Sequence, residues 1–187
     1  MGSKRFLVVD TETGGLDPVR NCLLTIGAVV WDNGKILAER EFFVLEERFD
    51  ITPSSLLVHQ VDLRDLAKRG QSPKKAVAEF LKFARRYFPK KDRIALAGHN
   101  VGFDAGFLKR LFTQAGLDYD THVSHRLLDT ASILGYLNLA GKLPLTSRGL
   151  SEAIKYFKLK VDPSKRHTAL EDARVTAALL TRLVRLA

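Results

Sequence analysis

Asp10 and Glu12, two residues apart, close an apolar run and open a glycine turn in RFLVVDTETGGLDP, the stretch from Arg5 to Pro18. In an extended chain residues i and i+2 project to the same side, so both carboxylates face one place where a strand ends. Side by side they repel, and a hard divalent cation with oxygen ligands is what offsets such a pair. A lone D-x-E is more often an acidic surface turn, so the other acids carry the argument. Asp104 follows the short apolar run Ile94 to Ala97, where a strand outlet gives way to a helix N-terminus. A helix dipole favours an acid there whatever its function. Asp172 stands in HTALEDA, five residues after His167. Gathered in one cleft of a basic protein, four carboxylates would repel one another. With two divalent ions they form a site that holds a phosphodiester, activates a water and stabilises the leaving oxygen of an in-line displacement. His167, whose side chain type titrates near neutrality, is the base for that water.

The surrounding elements must bring these residues together. Phe6 to Val9 is apolar on both parities, as a strand covered on both faces requires. Leu23 to Trp31 gives a second strand, Asp32-Asn33-Gly34 a type I′ turn, and Lys35 to Leu45 a third strand. In the third strand apolar and charged residues partly alternate, which places it at the edge of an antiparallel meander. Thr52-Pro53 opens a short helix through Leu56 to His59, and a second short helix follows Asp62. Val77, Phe80, Leu81 and Ala84 repeat with helical period up to Phe88. After the fourth strand, Ile94 to Ala97, a helix runs from about Asp104 to Gly116. Leu127 and Leu128 form a fifth strand ending at Asp129, with a helix from Thr130 to about Leu139. Leu150, Ile154 and Phe157 mark another helix before the basic loop Lys158 to Arg166. Thr168 and Glu171 make a capping box for the last helix, leaving His167 just outside it and Asp172 one turn inside. This order predicts an α/β fold, a mixed sheet with helices packed against it.

A chain of 187 residues, 45% hydrophobic and 27% charged, fits one domain over residues 1–187. Thirty Lys and Arg against 21 Asp and Glu give a net charge of +9, and an excess of that size favours a polyanionic partner, nucleic acid first. Lys158, Lys160, Lys165 and Arg166 are expected to flank His167 and neutralise phosphates. The single cysteine, Cys22, excludes an internal disulfide and a cysteine-based zinc site, as in a reducing compartment. No run approaches a membrane span and no apolar signal region precedes the first strand, so a cytoplasmic protein is expected.

Taken together, DTETGG, GHNVGFDAGFL and HTALEDA resemble the three motifs of the DEDDh family of 3′-to-5′ exonucleases, which includes bacterial proofreading subunits and ribonuclease T. The resemblance spans Arg5 to about Leu183. It implies a ribonuclease H-like mixed five-stranded sheet flanked by helices, two Mg²⁺ ions with Mn²⁺ as substitute, and release of nucleoside 5′-monophosphates from single-stranded or frayed 3′ ends. Carried over by residue, Asp10, Glu12, Asp104 and Asp172 are the metal ligands and His167 is the general base. Thr13, Gly14 and Leu16 in the turn contact the 3′ nucleotide, Leu16 against its base, with His59, Asn100 and Phe103 as further contacts. Asp129 is a supporting residue.

Gly14 stands where many proofreading relatives carry a second Thr, and the Gly-Gly form is that of ribonuclease T. DNA proofreading and RNA 3′-end trimming therefore both stay open. The end at Ala187 leaves no room for a polymerase-holding segment, so the chain acts alone or is a domain of something longer. A polymerase or replication assembly is the implied protein partner. The rival is a catalytically silent nucleic-acid-binding module, which would be free to lose the ligands and base that are all present here.

Overall fold

The computed structural model describes residues 5–48, 50–57, 61–89 and 92–186. Three strands, β1 (Arg5–Thr13), β2 (Leu23–Asp32) and β3 (Lys35–Phe43), form the expected antiparallel meander. The tight turn between β2 and β3 holds Asn33 at φ 50° and Gly34 at φ 88°, the two left-handed residues a type I′ turn demands. Then come α1 (Pro53–Leu56), α2 (Leu63–Arg69) and α3 (Pro73–Ala84). Next are β4 (Leu96–Gly98), α4 (Val101–Gln114), α5 (Tyr119–His122) and β5 (Leu128–Asp129). The chain closes with α6 (Thr130–Leu139), α7 (Leu150–Phe157) and α8 (Ala169–Val184).

The sheet has five strands in the order β3-β2-β1-β4-β5, with β4 parallel to both β1 and β5. β3 lies at the edge, and β1 lies in the middle. Alternation along β1 explains why its apolar run ignores parity. Leu7 and Val9 pack with α3 and α4 residues such as Phe80 and Phe107, whereas Val8 packs on the opposite face with Ala173, Ala177 and Leu180 of α8. On that second face the one tryptophan, Trp31 of β2, donates from Nε1 to Thr181 Oγ1 of α8 at 2.8 Å. A smaller apolar cluster, with Leu134, Ala153, Leu179 and Leu183, joins α6, α7 and α8.

Several boundaries differ from the sequence reading. β4 is shifted toward its C-terminal side because Ile94 is drawn into an isolated bridge with Val123, leaving Leu96 and Ala97 to pair with β1. α4 begins at Val101, three residues before Asp104, and the four-residue α5 was not expected. α3 ends at Ala84, with Phe88 buried beyond it in a turn. The expected end of the first short helix, His59, lies outside the described residues. Among the described residues, no helix is long and apolar enough to cross a membrane.

Candidate active site

The site begins at the end of the central strand. Asp10 pairs in register with Gly27 of β2, and Gly27 with Glu41 of β3, so the three form a row across the sheet. Directly paired residues share a face, here the face covered by α8. Gly27 is required by close approach, since a Cβ there would lie 2.1 Å from the Ala169 carbonyl oxygen and 2.5 Å from the Leu170 nitrogen. The start of α8 therefore rests directly on the sheet beside Asp10, bringing Asp172 over the carboxylates of β1.

The expected capping box does not form. Thr168 occupies the N-cap position, but its Oγ1 donates to the Lys165 carbonyl at 2.8 Å. Glu171 Oε1 accepts from the Asp162 backbone N–H at 3.1 Å, and Arg174 Nη1 donates to Glu171 Oε2 at 3.1 Å. The Glu41 carboxyl, which burial raises overall, faces the Leu170 backbone at the helix start, which lowers it. Glu41 was not singled out by the sequence, because its partner lies far along the chain.

Asp104 comes from the other side of the sheet. Thr11 Oγ1 donates to Asp104 Oδ1 at 2.7 Å, as its alternation with Asp10 and Glu12 toward the α4 face allows. Asp104 is 4% exposed, and burial raises its carboxyl to about 7 against the hydrogen bonds from Thr11. Burial, followed by the charges of Asp172, Asp104 and Glu41, pushes Glu12 up to about 8. Asp10 is also raised well above the usual carboxylate range, first by burial and then by Asp104, Glu12 and Asp172, with Arg166 opposing. The four acids thus act electrostatically as one cluster.

The cation that reaches this cluster belongs to the protein. Arg166 Nη1 donates to Asp172 Oδ1, and its Nη2 donates to Ser151 Oγ of α7 at 3.2 Å. His167 follows at φ 63°, partly buried, and its ring makes no hydrogen bond to a described residue. Among the described residues, no three acidic, histidine or cysteine side chains converge at coordinating distance; Asp172 is engaged by Arg166 and Asp104 by Thr11. The donor set nevertheless suits a divalent ion. It consists of hard carboxylate oxygens, and in Asp10 and Glu12 burial and the neighbouring carboxylates raise the proton affinity, a repulsion that a dication relieves.

The expected substrate contacts divide into two groups. Glu12, Thr13, Leu16 and Phe103 line a cavity of about 370 Å³ together with Thr52 and Ser55, which the sequence reading had assigned only to a helix start. Leu16 is 85% exposed at this cavity. Gly14 is a structural junction: its carbonyl accepts from the Thr52 N–H at 2.6 Å and Ser55 Oγ at 2.9 Å. Asn100, left-handed at φ 62°, stands at the start of α4 and donates its N–H to Asp129 Oδ1 at 2.7 Å. Asp129 supports this corner as foreseen; burial would raise it, but hydrogen bonds from Ser132, Asn100 and Ala131 hold it below its ordinary value. His59 lies outside the described residues. The four cations expected around His167 do not form one group. Lys165 pairs with Asp162 at 3.3 Å and Arg166 with Asp172, whereas Lys158 sits at the far end of α7.

A mixed sheet of this order, with acids at the outlet of its central strand and the start of its last helix laid over them, defines a ribonuclease H-like nuclease domain. Residues 7–180 match the model of the RNase T family, described as Exonuclease, and the chain belongs to this family of DEDDh-type 3′-to-5′ exonucleases. It is 32% identical over 184 residues to the PolC-type DNA polymerase III of Thermotoga maritima, covering 98% of this chain and 12% of that protein. It is 26% identical over 186 residues to ribonuclease T of Wigglesworthia glossinidia brevipalpis, covering 95% of this chain and 83% of that one. The fold matches E. coli exonuclease I, crystallised with a dT13 oligonucleotide, at a TM-score of 0.80 and 18% identity over 97% of this chain and 42% of that one. The chain thus spans about an eighth of the polymerase relative.

Proposed function

We propose that the domain removes nucleoside 5′-monophosphates from a single-stranded or frayed 3′ end of DNA, using two divalent ions, Mg²⁺ with Mn²⁺ as substitute. The observation that carries this reading is the cluster of four acids around the C-terminal half of β1, three of them, Asp10, Glu12 and Asp104, raised first by burial, beside a cavity edged by an exposed leucine. Asp10, Glu12, Asp104 and Asp172 would hold the ions, which when bound polarise the phosphodiester and stabilise its leaving oxygen. The chain's own groups do the rest. Leu16 and Phe103 hold the terminal base between them, and the turn at Thr13 and Gly14 closes the cavity against an internal phosphate. A ring nitrogen of His167 takes the proton of the attacking water.

DNA is preferred because the relative with 32% identity is named as a DNA polymerase. A proofreading or repair role beside a polymerase, in the cytoplasm, belongs to the same reading. One observation favours RNA trimming as the second reading, since the match to ribonuclease T covers 83% of that relative. A side-by-side assay separates them, using 5′-labelled single-stranded DNA, RNA and a duplex with a mismatched 3′ end, each with Mg²⁺ and with chelator. Ladder-like shortening of DNA, abolished by chelator, is expected. Faster shortening of RNA would move the assignment to RNA, and full activity in chelator would remove the two-metal reading.

A further inference from the structure

The C-terminal ends of α7 and α8 enclose a cavity of about 410 Å³ lined by Tyr156, Phe157, Lys158, Arg182, Arg185 and Leu186. Its charge is one-sided. Neither residues 153–161 nor residues 173–186 contain an acid, and the two segments carry Lys155, Lys158, Lys160, Arg182 and Arg185 at or near this end. Among the described residues, none of these five cations pairs with a carboxylate, whereas Arg166 and Arg174, at the other end of the same helix pair, are both paired. A helix dipole accounts for a cation in a last turn. It does not account for a concave site with an aromatic wall. Tyr156 is 43% exposed, its ring nearly perpendicular to that of Phe157 with centroids 4.9 Å apart.

The position relative to the acid cluster is set by the helices. Ser151, at the start of α7, meets Arg166, which holds Asp172 at the start of α8. Both helices then run from the acids to the basic cavity. Arg182 and Arg185 lie ten and thirteen residues beyond Asp172, about 15–20 Å along an α-helix. A stacked strand advancing ~3.4 Å per phosphate covers that distance in roughly five nucleotides.

We propose that this cavity is a second nucleic-acid site, separate from the catalytic cleft, that grips the phosphates of a single strand through Lys158, Arg182 and Arg185 and stacks one base on Tyr156. The inference rests on the exonuclease reading for its substrate class. It adds that the enzyme holds its strand at two places, one at the 3′ end and one roughly five nucleotides upstream. Short products lose the second grip and leave; long strands keep it.

The test compares 5′-fluorescein-labelled dT3 and dT15 on the full chain. Anisotropy in chelator reads binding without cleavage, and cleavage with Mg²⁺ is measured separately. The wild type should bind dT15 at least tenfold more tightly than dT3. Changing Lys158, Arg182 and Arg185 together to alanine should remove most of that gap. It should also flatten the log–log salt dependence by about 2, from three contacts at ~0.7 each for a single strand. Cleavage of dT3 should be unchanged, which also reports an intact fold. Tyr156→Ala should weaken dT15 binding about tenfold with the salt slope retained, as loss of a stacking face predicts. An unchanged slope in the triple variant overturns the proposal, as does equal loss on dT3 and dT15. Tighter binding of a polyglutamate peptide than of dT15, lost in the same variant, would assign the cavity to an acidic protein and also overturn it. Absence of cleavage on either oligonucleotide would strike the exonuclease reading instead, while the anisotropy still decides the second site.

Discussion

The two halves of the acid cluster are held in place by different means. Asp10 and Glu12 sit in a strand paired on both sides, and Asp104 is buried in the first turn of α4 with a hydrogen bond from Thr11. Asp172 and His167 come from the segment that returns from α7 to α8. That segment has non-glycine residues in the left-handed region at both ends, Lys158 at φ 49° and His167 at φ 63°, and such residues cost energy to hold there. Its anchors mix apolar packing, Leu159 on the α6–α8 cluster and Ala169 on the sheet, with polar contacts: Arg166 on Asp172, Asp162 N–H on Glu171 and Asp162 on Lys165. One half is fixed by the sheet itself. The other rests on the sheet through the start of α8 at Gly27 and is steered by side chains that single substitutions can remove, so position and competence can be perturbed separately.

The largest effects should come from the fixed half and the proposed base. Asp10→Ala should abolish measurable cleavage while leaving the fold intact, because the carboxylate contributes charge rather than packing; activity in this variant would show that the acid cluster is not the reaction centre. His167→Ala should slow single-turnover cleavage by roughly 10²- to 10⁴-fold with metal affinity retained. It should also remove the acidic limb of the pH–rate profile, and an unchanged limb would assign the proton transfer to another group.

Next in size is the contact between the halves. Gly27→Ala drives a methyl group into the Ala169 carbonyl, which should lower stability by about 1–3 kcal/mol in chemical denaturation. Cleavage should fall further than stability does, since the displaced element carries Asp172. If both fall in proportion, α8 has no special positional demand.

Glu41 supplies a smaller and sharper comparison. Glu41→Ala removes the carboxyl that faces the Leu170 backbone and should cost about 1 kcal/mol, as lost caps do. It should also weaken Mn²⁺ binding by calorimetry through misplacement of Asp172. Glu41→Gln keeps an acceptor oxygen and should restore most of the affinity. Equal loss in both variants would show that its charge, rather than its hydrogen bond, matters.

Apart from any substitution, the same acids make stability depend on pH. Glu12 titrates near 8 and Asp104 near 7 in the folded chain, against ordinary values of 4.5 and 3.8. Between those limits the folded chain binds more protons than the unfolded one, so its stability falls as pH rises. In chelator the melting temperature should be highest near pH 5 and decline through pH 7–8. Mg²⁺ should reduce the decline by taking over the compensation of charge. A melting temperature that rises from pH 5 to 8 would contradict the burial of these acids.

What could be read from the sequence was local. The apolar run of β1, the Asn33-Gly34 turn and the pairing of Thr52 with Pro53 carry their meaning within a few residues, and each element formed where its signal lay. The acids were legible from their spacing, although β1 runs on through Asp10 and Glu12 to Thr13 instead of ending before them. The errors come from competing partners that the local pattern does not reveal, several of them distant in the chain. Thr168 and Glu171 have the residue types of a capping box, yet the Lys165 carbonyl and the Asp162 N–H claim their side chains, and Glu41 on an edge strand faces the helix start. α4 starts early because Asn100 takes a left-handed turn whose N–H is satisfied by Asp129, twenty-nine residues on. Arg166 looked like one of four phosphate-facing cations, and only the fold turns it onto Asp172.

The seat of Trp31 gives the molecule an optical gauge. It is the chain's one indole, 2% exposed, beside the Phe6 ring at 6.2 Å and bonded to Thr181 on α8. Its emission wavelength and quenching by iodide therefore register whether that helix lies on the sheet, with no label and no substrate. A red shift that precedes loss of far-ultraviolet circular dichroism would mark the undocking of α8 as a step of its own. Phe6 and Thr181 are then the positions at which the gauge can be recalibrated without touching a carboxylate.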